Sequence, residues 1–226
     1  MDLPKEVPVM TLPGAILFPQ AMLPLYIFEP RYRQMLAYTL KGQRMFSVAM
    51  QKPGQSREVP CPVAGLGLIR VSVDHSDGTS HLILQGITRV ELKQTLQYRP
   101  YRIQTIKPLK AKTIDSVVID ALLAKVFELV EQRIETGSSP FPFPLSKTGG
   151  KSKGGPKPKL TVKEILSYLE NLPDADQITD LVSCALLSNA RERQTILETV
   201  ELEPRLKHLI RFLLADGGKS KGSNDD

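Results

Sequence analysis

The 226-residue chain is 41% apolar and 24% charged, close to the globular average, so it can build a core across one or two small domains. Tryptophan is absent and aromatics are only 6%, which argues against a fold built on stacked aromatic platforms. No apolar run approaches the roughly 18 residues of a membrane span. The opening MDLPKEVPVM lacks the basic and apolar regions of a secretory signal, so Cys61 and Cys184 are expected as reduced thiols in a cytoplasm. The net charge of +6 invites a nucleic-acid reading until the charge is located along the chain.

From Val7 to about Leu109 short strands alternate with turn residues. The candidates are Val7–Thr11, Leu23–Phe28, Met45–Met50, Gly67–Val73, Ser80–Gln85, Thr88–Leu96 and Tyr101–Pro108, all rich in β-branched and aliphatic residues. Asp77-Gly78 marks a tight hairpin, because glycine tolerates the positive φ such a turn demands. A symmetric two-residue turn there places Asp74 opposite His81 and points His75 and His81 to opposite faces. Gly86 predicts a bulge or sharp bend. One helix is embedded, with Pro30 at its first position and Gly42 as its stop. Its apolar stripe is Tyr32, Leu36 and Leu40, with Met35 alongside. Many short strands with one short helix imply a small closed or nearly closed β-barrel.

From Asp115 the period becomes helical. Val118, Leu122, Val126 and Leu129 form a stripe on a helix running to about Glu135. Then comes Thr136–Lys159, a Pro/Gly/Ser segment with five lysines and no acid. Without it the chain holds 25 basic and 24 acidic residues, so nearly all the basicity lies in one segment expected to be a flexible loop. Thr161 and Glu164 form a capping box, with Val162, Ile165, Leu166 and Leu169 facing inward. Pro173-Asp174 opens a helix with Ile178, Leu181, Val182, Ala185 and Leu186 on one side. Asn189 caps the next, with Ile196, Leu197 and Val200 inside. Glu203-Pro204 opens the last, with Leu206, Leu209, Ile210 and Leu213 inside and Gly217 as its stop. Such helices bury their stripes against one another as a bundle. The expected organisation is therefore α+β: a β subdomain over 1–112, a helical bundle over 113–216 with the flexible loop at 137–159, and a disordered tail over 217–226.

The chain offers no recognisable catalytic motif. Gly150-Lys151-Ser152 and Gly218-Lys219-Ser220 lack the first glycine of a phosphate-cradling loop, since Leu145 and Leu213 stand in its place. Neither cysteine has a local base, and no carboxylate pair is singled out. The three histidines, His75, His81 and His208, do not form a three-ligand metal set in sequence. No catalytic residue, metal or cofactor is expected.

The segment LPGAILFPQAMLPLYIFEPRYRQML, Leu12 to Leu36, is dense in proline and apolar residues and reads as core lining or as a groove wall. It carries Leu12-Pro13-Gly14, Phe18-Pro19, Leu23-Pro24-Leu25 and Ile27-Phe28-Glu29-Pro30-Arg31-Tyr32. With Asp77-Gly78, Gly86-Ile87-Thr88-Arg89-Val90 and Pro100-Tyr101, this spaced set closely resembles the N-terminal, substrate-binding domain of the Lon protease family. The helical half resembles the bundle that follows in that family. The resemblance implies a PUA-like β fold and a non-enzymatic module that binds unfolded or extended polypeptide segments, with an ATP-dependent protease as a further partner. The family's ATPase and Ser-Lys protease motifs are missing, which implies a stand-alone domain. Candidate binding residues are Phe18, Leu25, Tyr26, Phe28, Glu29 and Arg31. The alternatives are a nucleic-acid-binding PUA-like protein, against which the near-neutral remainder of the chain argues, and an unrecognised hydrolase. A membrane partner is not expected.

Overall fold

Met22–Ile27 and Ser80–Leu84 alternate between exposed and inward-facing side chains, whereas Met45–Met50 and Val63–Gly67 are buried on both faces. The computed structural model describes residues 2–55, 57–111, 116–135 and 162–219. Its elements run β1 (Glu6–Leu12), β2 (Met22–Ile27), α1 (Pro30–Lys41), β3 (Met45–Met50), β4 (Val63–Asp74), β5 (Ser80–Gln97) and β6 (Arg102–Leu109), then α2 (Val117–Glu135), α3 (Val162–Glu170), α4 (Ala175–Leu186), α5 (Ala190–Glu198) and α6 (Leu202–Lys219). Among the described residues the result is an α+β fold with a six-stranded sheet and six helices, of which only α1 lies among the strands. The expected loop at 137–159, the cap at Thr161 and the tail from 220 onward lie outside the described residues.

The strands pair in the order β2-β5-β4-β3-β1-β6, with β6 also pairing with β5, so the ladder returns on itself and leaves β2 attached to β5 alone. β1 and β3 are parallel, and the other pairs are antiparallel. The two strands expected at Ser80–Gln85 and Thr88–Leu96 are one long strand, β5. The bulge expected at Gly86 is present: Gly67 pairs with Gly86 while Leu66 pairs with Thr88, leaving Ile87 as the extra residue. Glycine is needed there because the segment around Phe18 crosses the sheet at backbone distance. A Cβ on Gly86 would overlap the Phe18 carbonyl oxygen, and one on Gly65 would overlap that of Leu17. The Gly86 N–H donates to the Ala21 carbonyl, and its own carbonyl accepts from the Gln20 N–H, both at 2.9 Å.

α1 buries Tyr32, Met35, Leu36 and Thr39 against the sheet, and Leu40 packs at the margin. In the second half α2 departs from its expected stripe. Ile119, Val126, Leu129 and Val130 are buried, whereas Val118 is exposed. Asp174 and Asn189 cap α4 and α5, accepting from the Asp176 and Arg191 N–H groups at 2.9 Å. α6 continues through Gly217 and Gly218 to Lys219, past its expected stop. One apolar cluster joins Ile16, Phe18, Met50, Cys61 and Val63 to residues of α2 through α6, so sheet and helices share a core.

That junction also holds buried charges. Arg89 on β5, Asp180 on α4 and Arg205 on α6 are 6%, 1% and 1% exposed. Arg89 pairs with Asp180 and donates through Nε to the Leu197 carbonyl at 3.1 Å. Arg205 reaches Asp180 at 3.2 Å, Asp176 at 2.7 Å and the Thr199 carbonyl at 2.9 Å, and also donates to the Val200 carbonyl. Burial pushes the Asp180 carboxyl upward, and the two guanidiniums pull it back.

Candidate binding face

On β2, Leu23, Leu25 and Ile27 turn toward the core, so Met22, Pro24 and Tyr26 turn outward. On β5, Leu82 and Leu84 are buried, so His81 and Ile83 turn outward. The pairing then aligns two rows across three strands: Tyr26, His81 and Val73, and beside it Pro24, Ile83 and Val71. An outward sheet face normally carries polar side chains. Here Tyr26, Val71, Val73 and Ile83 are 40–51% exposed. They border a groove of about 380 Å³ in which the His81 imidazole and the Tyr26 hydroxyl are the polar groups among otherwise apolar side chains. Phe28, just past the end of β2, is 57% exposed, and its ring lies 5.7 Å from that of Tyr26. Tyr26 also stacks on His81 at 4.7 Å.

The histidine geometry differs from the expected one. The turn holds three residues, Ser76-Asp77-Gly78, closed by a His75 N–H to Thr79 carbonyl bond of 2.9 Å, with Gly78 at φ +79. The extra residue shifts the register by one, pairing Asp74 with Ser80 and Val73 with His81. A one-residue shift flips a side chain to the other face. Both imidazoles therefore share one face, with His75 Nε2 and His81 Nδ1 2.7 Å apart.

The six candidate residues separate. Phe18 is fully buried in the shared core, with the Arg193 guanidinium 6.0 Å from its ring centre, so it is not a surface contact. The reason is the crossing of its segment over Gly65 and Gly86, which sinks its ring between sheet and helices. Leu25 turns inward and packs at the margin of the sheet core. Tyr26 and Phe28 lie together on the exposed face. Glu29 and Arg31 form a half-exposed ion-pair cluster at the start of α1: Arg31 Nε meets Glu29 at 2.9 Å, and Nη1 pairs with Glu58. Glu29 makes no side-chain cap. Below them the Tyr32 hydroxyl donates to the Thr11 carbonyl at 3.0 Å, and burial together with the Glu58 charge pushes its pKa up to about 12. Sequence reasoning missed Val71, Val73, His81 and Ile83. The apolar, β-branched character of Val71, Val73 and Ile83 was legible, but the outward direction of all four depends on the register.

The space between sheet and helices holds a cleft of about 260 Å³ whose lining includes Arg89, Asp176, Asp180 and Arg205. These four charges pair with one another. The thiols carry no activation. Burial pushes Cys61 up, and it pushes Cys184 up with Arg193 opposing. Among the described residues no three His, Cys, Asp or Glu side chains converge as metal ligands, and no helix is long and apolar enough to cross a membrane.

Fold and face together define an α+β chain with an exposed apolar surface on its sheet. The chain belongs to the family of the ATP-dependent protease La (LON) substrate-binding domain, whose model matches residues 6–215. It is 21% identical over 215 residues to a Lon protease of Dictyoglomus thermophilum and 22% identical over 216 residues to one of Desulfosudis oleivorans. These alignments cover 94% and 93% of this chain but 24% of each relative, so the chain spans about a quarter of their length. Among solved structures it is similar to the N-terminal domain of a Mycobacterium avium complex Lon protease, with a TM-score of 0.68 and 18% identity over 93% of this chain and 98% of that one. It is also similar to a Lon N-terminal domain protein from Xanthomonas campestris, with a TM-score of 0.62 and 16% identity over 92% and 98%. The matched family is, by its description, the substrate-binding domain of that protease.

Proposed function

We propose that the protein is a non-enzymatic module that holds unfolded or extended polypeptide segments on the outer face of β2, β5 and β4, in the cytoplasm and in the service of ATP-dependent proteolysis. In this reading the self-returning strand ladder is a PUA-like barrel, the helices after it form a bundle, and the two subdomains meet at about residue 113. The observation that carries the binding role is the pair of in-register rows, capped by Phe28, that keep apolar side chains in water at the free edge of a sheet. Covering them removes on the order of 400 Å² from water, about 10 kcal/mol gross at about 25 cal/mol per Å². Association entropy consumes much of that, leaving an affinity suited to transient capture. Side-chain contacts rather than strand addition hold the segment, because Pro24 deprives the β2 edge of a donor at its middle.

The test uses permanently unfolded, carboxymethylated α-lactalbumin as probe, read by fluorescence anisotropy. Tyr26→Ser with Phe28→Ser should weaken capture about tenfold or more with little change in melting temperature. Phe18→Leu should leave capture unchanged. Full capture by the double variant would overturn the assignment of this face, and preferential capture of single-stranded RNA over the unfolded protein would overturn the polypeptide reading.

A further inference from the structure

The three-residue turn has a chemical result independent of the polypeptide reading. It brings two exposed imidazoles together from opposite arms of one hairpin, with ring nitrogens 2.7 Å apart and ring planes at 86°. Two nitrogens that close share a single proton between them, and a divalent metal ion can take that proton's place. We propose that His75 Nε2 and His81 Nδ1 form a two-imidazole site for a divalent transition-metal ion of the copper–nickel–zinc series, with water in the remaining positions.

The spacing bears on which ion fits. With metal–nitrogen bonds of about 2.0–2.1 Å, two nitrogens at right angles on a square-planar or octahedral ion lie about 2.9 Å apart, and two on a tetrahedral ion about 3.3 Å. The observed 2.7 Å is nearer the right-angled value. Cu²⁺ and Ni²⁺ therefore fit with a small rotation of either ring, and Zn²⁺ requires a wider opening. Intrinsic affinity for nitrogen donors also favours Cu²⁺. The site is held in shape on both sides. Tyr26 stacks on His81 and limits its rotation. The Asp77 carboxylate accepts from the Thr79 N–H at 2.9 Å and its hydroxyl at 2.7 Å, which braces the turn that carries His75. Such bracing is what preorganises a metal ligand.

The full chain, with its three histidines, should be titrated with Cu²⁺, Ni²⁺ and Zn²⁺ by calorimetry. One Cu²⁺ per chain is expected with a Kd of micromolar order, with Ni²⁺ and Zn²⁺ weaker. His75→Asn or His81→Asn should each weaken Cu²⁺ about tenfold or more, and His208→Asn should have no effect. Both turn histidines are exposed, so these variants should fold. A second measurement needs no variant: Cu²⁺ should broaden the NMR resonances of Val73, His75, His81 and Tyr26 first. The absence of saturable uptake, wild-type affinity in either single variant, or broadening centred on His208 would each overturn the site.

Discussion

Asp180→Ala should be the most damaging single truncation at the junction of sheet and helices. The carboxylate is 1% exposed and stands between two guanidiniums that are themselves 6% and 1% exposed. Removing it leaves Arg89 with only its Nε bond to the Leu197 carbonyl. Arg205 keeps the Thr199 and Val200 carbonyls and the half-exposed Asp176. Two cations then face one another in a medium that screens them poorly. Breaking a buried ion pair by deleting one partner costs about 3–5 kcal/mol. For a chain of this length that is a fall in melting temperature of about 6–20 °C, at about 2–4 °C per kcal/mol. Urea denaturation followed by circular dichroism measures the free energy directly. Arg89→Met combined with Asp180→Leu should cost less than the sum of the two single changes, because the double variant removes a charge together with its partner. A loss below about 1 kcal/mol for Asp180→Ala would refute the reasoning, since it would mean that water reaches the arginines.

Three further outcomes follow from the same geometry. Tyr32 keeps its proton in the folded chain up to about pH 12, whereas its ordinary value is 10.0. Between these the unfolded chain holds fewer protons, so Tyr32's contribution is complete below about pH 10 and is lost as pH rises through 12, about 3 kcal/mol in all. Tyr32→Phe should remove that alkaline limb at a cost of about 1 kcal/mol at neutral pH, and pH-dependent urea midpoints of the two proteins check it. Tyr32→Ala should cost about 2–4 kcal/mol, whereas Arg31→Ala should cost less than about 1 kcal/mol because its pairs with Glu29 and Glu58 are solvent-screened. Thermal melts that reverse this order would place the wrong face of α1 against the sheet. Gly65→Ala should cost about 3 kcal/mol or more, because its methyl would meet the Leu17 backbone rather than a movable side chain. A near-neutral value would show that the crossing segment is free to lift.

Much of the architecture was legible because it is encoded locally. The 3.6-residue period set the stripes of α4 through α6, and Asp174 and Asn189 announced their caps. Gly86 signalled its bulge because a missing Cβ has few uses inside a strand. Tyr26 and Phe28 were readable as contact candidates because large apolar side chains beside prolines suit a surface wall. What the sequence could not supply was pairing. Arg89 finds Asp180 across 91 positions, and neither residue carries a local mark of its partner. The strand order β2-β5-β4-β3-β1-β6 likewise has no local signature. Phe18 looked as available as Phe28 until the crossing over Gly65 and Gly86 buried it. The histidine pair turned on a single extra residue in one turn, because side chains alternate along a strand and a register step of one exchanges its faces. Composition and period determined which residues fold into which element, and only the tertiary structure decided which of them meet, since pairing energy depends on contacts between segments that have no proximity along the chain.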